Sequence, residues 1–389
     1  MKLRKCARLL LALTPLLAGC GNFWAPPSGS SGSGTTPTTL SSGYFYVINK
    51  ATSQLVAYDI NSGTLNQIGA YTLAAAPAAI AIAPKGNFLY VSTLAGIYLY
   101  SIGSGGALTV GNSGGVVSSD PASAIAVDVS GSWLVDAVQG TSGVTVNATP
   151  ITSSGTYTGA AVGTQSFSNA NAAIYQMVIS SDDDHVFVAL GTGGTMVVPF
   201  TSGNANPLSS TATLISVATT GGSALSVAVD PSLRLFYIGE SLASGGTTGG
   251  LRVYNYSSLG GTLTQASGSP IASGGLAPHA ILPTASGDYV YVANGTGATS
   301  AGNITGFSIT STNGTYTVAK NSTVSTGILP NGLAEDSTAN FVLAVCEGGS
   351  SDLEAYIFDT TTAGQLDSTI TSTTGTDPTE AISVAAVAP

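Results

Sequence analysis

The sequence predicts an all-β fold: a seven-bladed β-propeller of four-stranded antiparallel blades, closed by joining N- and C-terminal strands in one blade. Three observations carry this expectation. A phrase made of a tight polar turn and a β-rich run recurs at APKGNFLYV (83–91), DPSLRLFYI (230–238) and TASGDYVYV (284–292), with looser copies at DVSGSWLVD (128–136), SSDDDHVFV (180–188) and DSTANFVLA (336–344). Its period of about 50 residues is one that solenoids, propellers and arrays use. The two chain ends supply complementary halves of one further copy.

Taken in order, residues 1–19 read as a lipoprotein signal peptide. Lys2, Arg4, Lys5 and Arg8 precede a short apolar run at 9–17, and Leu17-Ala18-Gly19-Cys20 resembles a bacterial lipobox. The run is too short to span a bilayer. The resemblance implies cleavage before Cys20 and lipid on its thiol. The expectation is an exported lipoprotein, anchored to a membrane of the cell envelope on its periplasmic or outer-membrane side. Residues 20–42 are that cysteine and a Gly/Ser/Thr/Pro tether without apolar period, about 25 Å in r.m.s. span. Residues 43–389 form the propeller.

The blades follow one another on two anchors. Pro77, Pro278 and Pro330 each stand three residues before an apolar position, Ile80, Ile281 and Leu333; Pro121 and Pro378 serve with one extra residue. The third and fourth copies enter through ANAAIYQMVI and GGSALSVAV instead. After each phrase comes a third strand, such as IYLYSI from 97 or LRVYNYS from 251, then a Gly-rich turn and a weaker fourth strand. Four strands per unit make a propeller blade. Six full copies begin at Pro77. The C-terminal DPTEAISVAAVAP supplies one inner strand, and GYFYVIN, LVAYDI and GTLNQIG near the N-terminus supply the other three. Closing the ring with both ends leaves no open strand edge.

Charge narrows the partners. Only 7% of residues are charged, and the net charge is −10. Four of the nine basic residues lie in the signal segment, leaving five against nineteen acidic residues, or −14. Nucleic acid, which needs a basic patch, is excluded as an expected partner, and so is direct docking on anionic lipid. With Cys6 in the signal and Cys20 lipidated, Cys346 stands alone, so no internal disulfide is expected; it reads as a buried, inert thiol. Two histidines and no paired-cysteine or HExxH motif give no metal and no cofactor. Asp182-Asp183-Asp184-His185 reads as a solvated hairpin on the face away from the ligand.

The best resemblance is to the seven-bladed lactonase propellers, the 6-phosphogluconolactonase-like family with its YVTN-repeat relatives. PHAILPTASGDYVYVAN (278–294) and PNGLAEDS (330–337) carry it, and it covers residues 43–389. The resemblance implies a metal-independent lactone hydrolase. Such chemistry needs a base to activate water and a cation or donor for the oxyanion. Loops entering strand one and leaving strand two share one face around the axis, where ligands bind by default. On that face His279, with Glu240 or Glu347, stands as base and Arg252 as cation, rimmed by Asn49, Asn294, Asn331 and Glu380. The family's Pro-Arg-His and Asn-Glu are replaced here by Pro278-His279 and Asn294-Gly295.

Two functions are therefore expected. The first is a lipid-anchored, monomeric, non-catalytic scaffold binding a protein or glycan at the central face. The alternative is a divergent lactonase acting on a sugar-type lactone.

Overall fold

The structure is a computed structural model that describes residues 42–387 except 158, 170, 257–262 and 373–375. Cys20, the signal segment and most of the tether lie outside the described residues. Among the described residues there are strands and one short 3-10 turn at Asn112–Gly114, and no helix is long and apolar enough to cross a membrane.

Four-stranded units succeed one another, numbered here from Pro77. Blade 1 holds Pro77–Ile82, Phe88–Thr93, Gly96–Ile102 and Leu108–Val110, in that order from the axis. Blade 2 holds Ala124–Val127, Trp133–Gln139, Val144–Pro150 and Gly163–Phe167; blade 3 holds Gln176–Ile179, His185–Ala189, Thr195–Pro199 and Thr213–Ile215. Blade 4 holds Ala224–Val229, Leu235–Ser244, Thr248–Asn255 and a fourth strand broken into Thr264–Gln265 and Ile271–Ala272.

Blades 5 and 6 are fused. Ala277–Pro283, Tyr289–Gly295 and Ala301–Thr312 belong to blade 5, and Phe341–Gly348, Leu353–Phe358 and Leu366–Thr371 to blade 6. The strand Thr315–Glu335 serves both: its first part pairs with Ala301–Thr312, its last part with Phe341–Gly348. In blade 7, Ala381–Ala386 pairs with Phe45–Asn49, with Val384 opposite Val47, and Gln54–Asn61 and Thr64–Thr72 complete the sheet. The split blade expected from the sequence is thus present.

Packing follows the same count. Seven apolar clusters lie between neighbouring blades, one at each junction from blade 7 with blade 1 round to blade 6 with blade 7. Strands covered on both faces must be apolar on both faces. That is why two of the second strands, Phe45–Asn49 and His185–Ala189, are buried at every position and the others over most of their length.

The repeated phrase has two structural jobs. Its first residue clamps the turn. Asp128 Oδ1 accepts the amides of Ser132 and Trp133 at 2.8 and 2.7 Å, and Asp336 Oδ1 those of Asn340 and Phe341 at the same distances. At three junctions a tyrosine at its strand end reaches the next blade, whereas Tyr237 of blade 4 is buried with no hydroxyl partner among the described residues. Tyr46, Tyr90 and Tyr291 donate to the carbonyls of Gly106, Gly155 and Gly364 at 3.0, 2.7 and 2.8 Å, each in the outer hairpin turn of the following blade. These three glycines have φ of +74°, +79° and +72°, and an added Cβ would meet the ring two residues before the tyrosine: Tyr44, Phe88 or Tyr289. Glycine is needed both for the backbone and for the ring.

Asp182-Asp183-Asp184 is more than a solvated hairpin. Asp183 accepts the amide of Val129 in blade 2 at 3.0 Å, and Asp182 accepts the Tyr256 hydroxyl of blade 4 at 3.0 Å. His185 Nδ1 lies 3.1 Å from that same hydroxyl. The turn ties three blades together.

Gly364→Ala should therefore destabilise more than Tyr291→Phe. The first forces a left-handed alanine against Tyr289, costing about 2–3 kcal/mol. The second removes one neutral hydrogen bond, costing about 1 kcal/mol. Denaturant midpoints of the two variants check the order.

Candidate functional site

The expected ligand face is built by the inner strands and by the loops that leave the second strands. In blades 1, 4, 5, 6 and 7 the inner strand carries a β-bulge near its start, with Ala78, Leu225, His279, Asn331 and Ile382 as the extra residues. A bulge re-aims a side chain and is a frequent companion of active sites. Two of these five are polar, His279 and Asn331, and they lie on adjacent blades.

His279 is half-buried. Among the described residues it makes no hydrogen bond or ion pair, and burial holds its pKa below the ordinary 6.5. The ring is therefore neutral near pH 7, with one nitrogen able to accept a proton. Its edge lies against Gly295, where an added Cβ would sit 3.3 Å from Cδ2 and 3.6 Å from Leu329 of the next blade.

Asn331 Nδ2 donates to Glu347 Oε1 at 2.8 Å, and Lys50 Nζ of blade 7 lies 4.0 Å from the same oxygen. The Lys50 and Glu347 side chains are 48% and 29% exposed, so both remain open to a ligand. Glu380, exposed, accepts the Lys50 amide through its carbonyl at 3.1 Å and donates its own amide to Asp352 Oδ2 at 2.7 Å. Asp352 titrates at about 6, raised chiefly by burial and then by Asp377, Glu380 and Glu347. Lys50 thus pairs with one carboxylate, Glu347, and Asp352, Asp377 and Glu380 form an acidic group on the adjoining chain.

The remaining expected residues lie apart from this group. Glu240 is fully buried and bonded to Arg252 Nη1 at 2.7 Å, while its other oxygen accepts the Ala218 amide at 2.8 Å. Arg252 donates further to the Ser216 carbonyl at 2.7 Å and to the Tyr254 hydroxyl. This pair joins blade 4 to the chain leaving blade 3. The four residues expected as catalytic do not form one hydrogen-bonded set: two neutralise each other, and His279 and Glu347 remain. The rim expectation for Asn49 and Asn294 also changes. Asn49 is 4% exposed and accepts the Thr52 amide. Asn294 is fully buried and donates to Ser273, Val292 and Asn303.

Lys50 is the residue sequence reasoning passed over. Its signal was its place, immediately after the strand end at Asn49 and among five basic residues outside the signal segment. Cys346 is fully buried and its thiol is pushed up to about 12 by burial, as expected of an inert cysteine. Among the described residues no group of His, Cys, Asp and Glu is arranged to hold a metal ion.

The buried Glu240–Arg252 pair gives a direct stability test. Glu240→Ala should lower stability by about 3–5 kcal/mol, because Arg252 is left buried and unpaired. Replacing both, Glu240→Leu with Arg252→Met, should recover most of that loss. Chemical denaturation of the single and double variants measures the difference.

Comparison with known proteins now bears on this geometry. No curated protein matches the chain in sequence. Among solved structures, the periplasmic gluconolactonase PpgL of Pseudomonas aeruginosa is 17% identical with a TM-score of 0.69, covering 88% of this chain and 99% of that one. A candidate 6-phosphogluconolactonase of Bacteroides uniformis is 18% identical with a TM-score of 0.68, covering 88% and 98%. A protein from Lactobacillus plantarum is 17% identical with a TM-score of 0.62, covering 89% and 99%. At such identities the likeness is one of fold. The family model described as lactonase, seven-bladed β-propeller, matches residues 53–383. With seven blades, a split closing blade and that match over most of its length, the chain belongs to the seven-bladed lactonase β-propeller family.

Proposed function

We propose that this protein hydrolyses a neutral, sugar-type lactone at the face formed by blades 5, 6 and 7. The observation that carries the reading is His279: a half-buried imidazole on an inner-strand bulge, kept neutral by burial and without a partner among the described residues. His279 would take a proton from water as the resulting hydroxide adds to the lactone carbonyl. The carbonyl oxygen becomes an oxyanion, and Lys50 with the second amide N–H of Asn331 would stabilise it. Glu347 would hold both donors in place. The ring C–O bond then breaks, the leaving alkoxide takes the proton from His279, and a hydroxy acid departs.

The substrate class follows from the charge around the site. Lys50 lies beside Glu347, and Glu380, Asp352 and Asp377 cluster on the adjoining chain of blades 6 and 7, a charge balance that disfavours a phosphorylated or carboxylated substrate. A neutral aldonolactone suits that field. The lipobox at Cys20 supports an envelope location, where the tether would hold the domain off the membrane.

A binding scaffold for a protein or glycan remains the second reading. What favours it is the mutual neutralisation of Glu240 and Arg252, which takes an acid and a cation out of use.

The full chain assayed against D-glucono-1,5-lactone and against 6-phosphogluconolactone decides between the two. Turnover of the neutral lactone is expected, with little on the phosphorylated one. His279→Ala should lower kcat about 10²-fold or more. Because the folded pKa of His279 is depressed, activity should persist as pH falls through 6.5 and fade only below it, and this acid limb should vanish in the variant. No turnover on any lactone would leave the scaffold reading.

A further inference from the structure

One inner strand ends on a charge. Just before the turn of the repeated phrase, the last paired residue of the inner strand is Ile82, Val127, Ile179, Val229, Pro283 or Ala386 in six blades. In blade 6 it is Glu335, opposite Val342. Glu335 is only 9% exposed. Its Oε2 accepts the Ala285 amide of blade 5 at 2.7 Å, which ties the two blades and accounts for one oxygen. Oε1 has no partner among the described residues. Burial, with Asp336 beside it, lifts the Glu335 pKa above the ordinary value, and the Ala285 amide offsets part of that.

Glu335 lies in the wall of a cavity of about 330 Å³ between blades 5 and 6. The cavity opens on the face away from His279: that histidine is near the start of Ala277–Pro283, and Thr284 of the cavity wall follows the end of the same strand. Tyr289 and Phe358 give the cavity aromatic walls, and Asp288 and Asp359 also line it. The Tyr289 hydroxyl makes no hydrogen bond among the described residues. Asp359 Oδ1 accepts the Thr361 hydroxyl at 2.6 Å and the Thr362 and Thr361 amides at 2.7 and 2.6 Å, which hold its carboxyl below the ordinary value and keep it ionised. No basic residue lines the cavity. Arg234 of blade 4 reaches the Gly287 carbonyl in the same turn, but its charge is met by Asp230 at 2.7 Å.

We propose that this cavity binds a small arylalkylammonium ion, its ammonium group donating to Glu335 Oε1 and its apolar body packing on Tyr289 and Phe358. A nine-tenths buried carboxylate with one open oxygen calls for a charged donor. Aromatic rings beside it add attraction for a cation and take up an apolar body. A metal ion would need six or more oxygens, and Asp359 Oδ1 already holds three donors while two walls are aromatic. A sugar would find too few polar partners there, and Asp288, Glu335 and Asp359 would repel an anion. The site is separate from the face of His279 and does not rest on lactone hydrolysis.

Titration calorimetry on the full chain tests it with three probes of one shape: 2-phenylethylammonium, neutral 2-phenylethanol and anionic phenylacetate. The ammonium should bind, the alcohol should bind at least about tenfold more weakly, since a charge-assisted hydrogen bond is lost, and phenylacetate should give no heat. Glu335→Gln keeps an acceptor for the Ala285 amide and removes the charge, so it should fold and bind the ammonium at least about tenfold more weakly. Ala363→Trp, which fills the cavity from its exposed edge and alters no charge, should abolish binding; it places the site even if Glu335→Gln fails to fold. Equal affinity for the ammonium and the alcohol, no heat with the ammonium, or unchanged binding in folded Glu335→Gln or in Ala363→Trp would each overturn the proposal.

Discussion

The contact between a tyrosine of one blade and a glycine carbonyl of the next sets three of the seven junctions in this ring. A propeller blade is a small twisted sheet with too little core to stand alone, so its stability comes from its neighbours. Apolar packing brings the blades together but is tolerant of slippage. The hydroxyls of Tyr46, Tyr90 and Tyr291 each meet one oxygen in a left-handed turn, under an aromatic ring that leaves no room for a Cβ. Where that bond forms, the height and rotation of one blade against the next are fixed. The phrase that recurs in the sequence is the trace of this requirement together with the turn clamp made by Asp128 and Asp336.

The same rigidity sets what the ligand face can do. Bulges near the start of the inner strands turn one side chain per blade out of the regular alternation, and the ring decides which of these stand side by side. Lysine from blade 7 stands more than 200 residues before the histidine on blade 5 and the asparagine on blade 6, yet the three lie on consecutive blades. Elsewhere charged groups serve to join blades. Glu240 is neutralised by Arg252, and Asp182 accepts the Tyr256 hydroxyl, so a charge is no guide to function until its partner is known.

Blade count, the split blade and the four-strand unit were legible in the sequence, because turn chemistry and strand alternation are local and repeat with the fold. The Pro spacing at Pro278 and Pro330 even marked the strands where His279 and Asn331 sit on bulges. Pairing across blades was not legible. Glu240 and Arg252 read as free acid and cation since nothing local shows that strand register and the chain around Ser216 bury them together. Asn294 read as rim, although the turn at Ser273 covers it. Lys50 joined the site through a neighbour nearly 300 residues away. The fusion of blades 5 and 6 through Thr315–Glu335 was hidden for a similar reason: a strand that leaves one sheet and enters another keeps its alternation.

The closing blade has a consequence for how the molecule is made. Phe45–Asn49 is the first strand of the propeller to be synthesised, and its inner neighbour Ala381–Ala386 is the last. Until Ala381–Ala386 arrives, the earliest strand keeps one edge bare and the two junctions of blade 7 lack the side chains that strand adds, Ala381, Ile382 and Val384. A chain that stops short can therefore assemble most of its blades but cannot shut. A copy lacking Ala381–Ala386 would instead present Phe45–Asn49 as an unpaired edge, open to pairing with another chain.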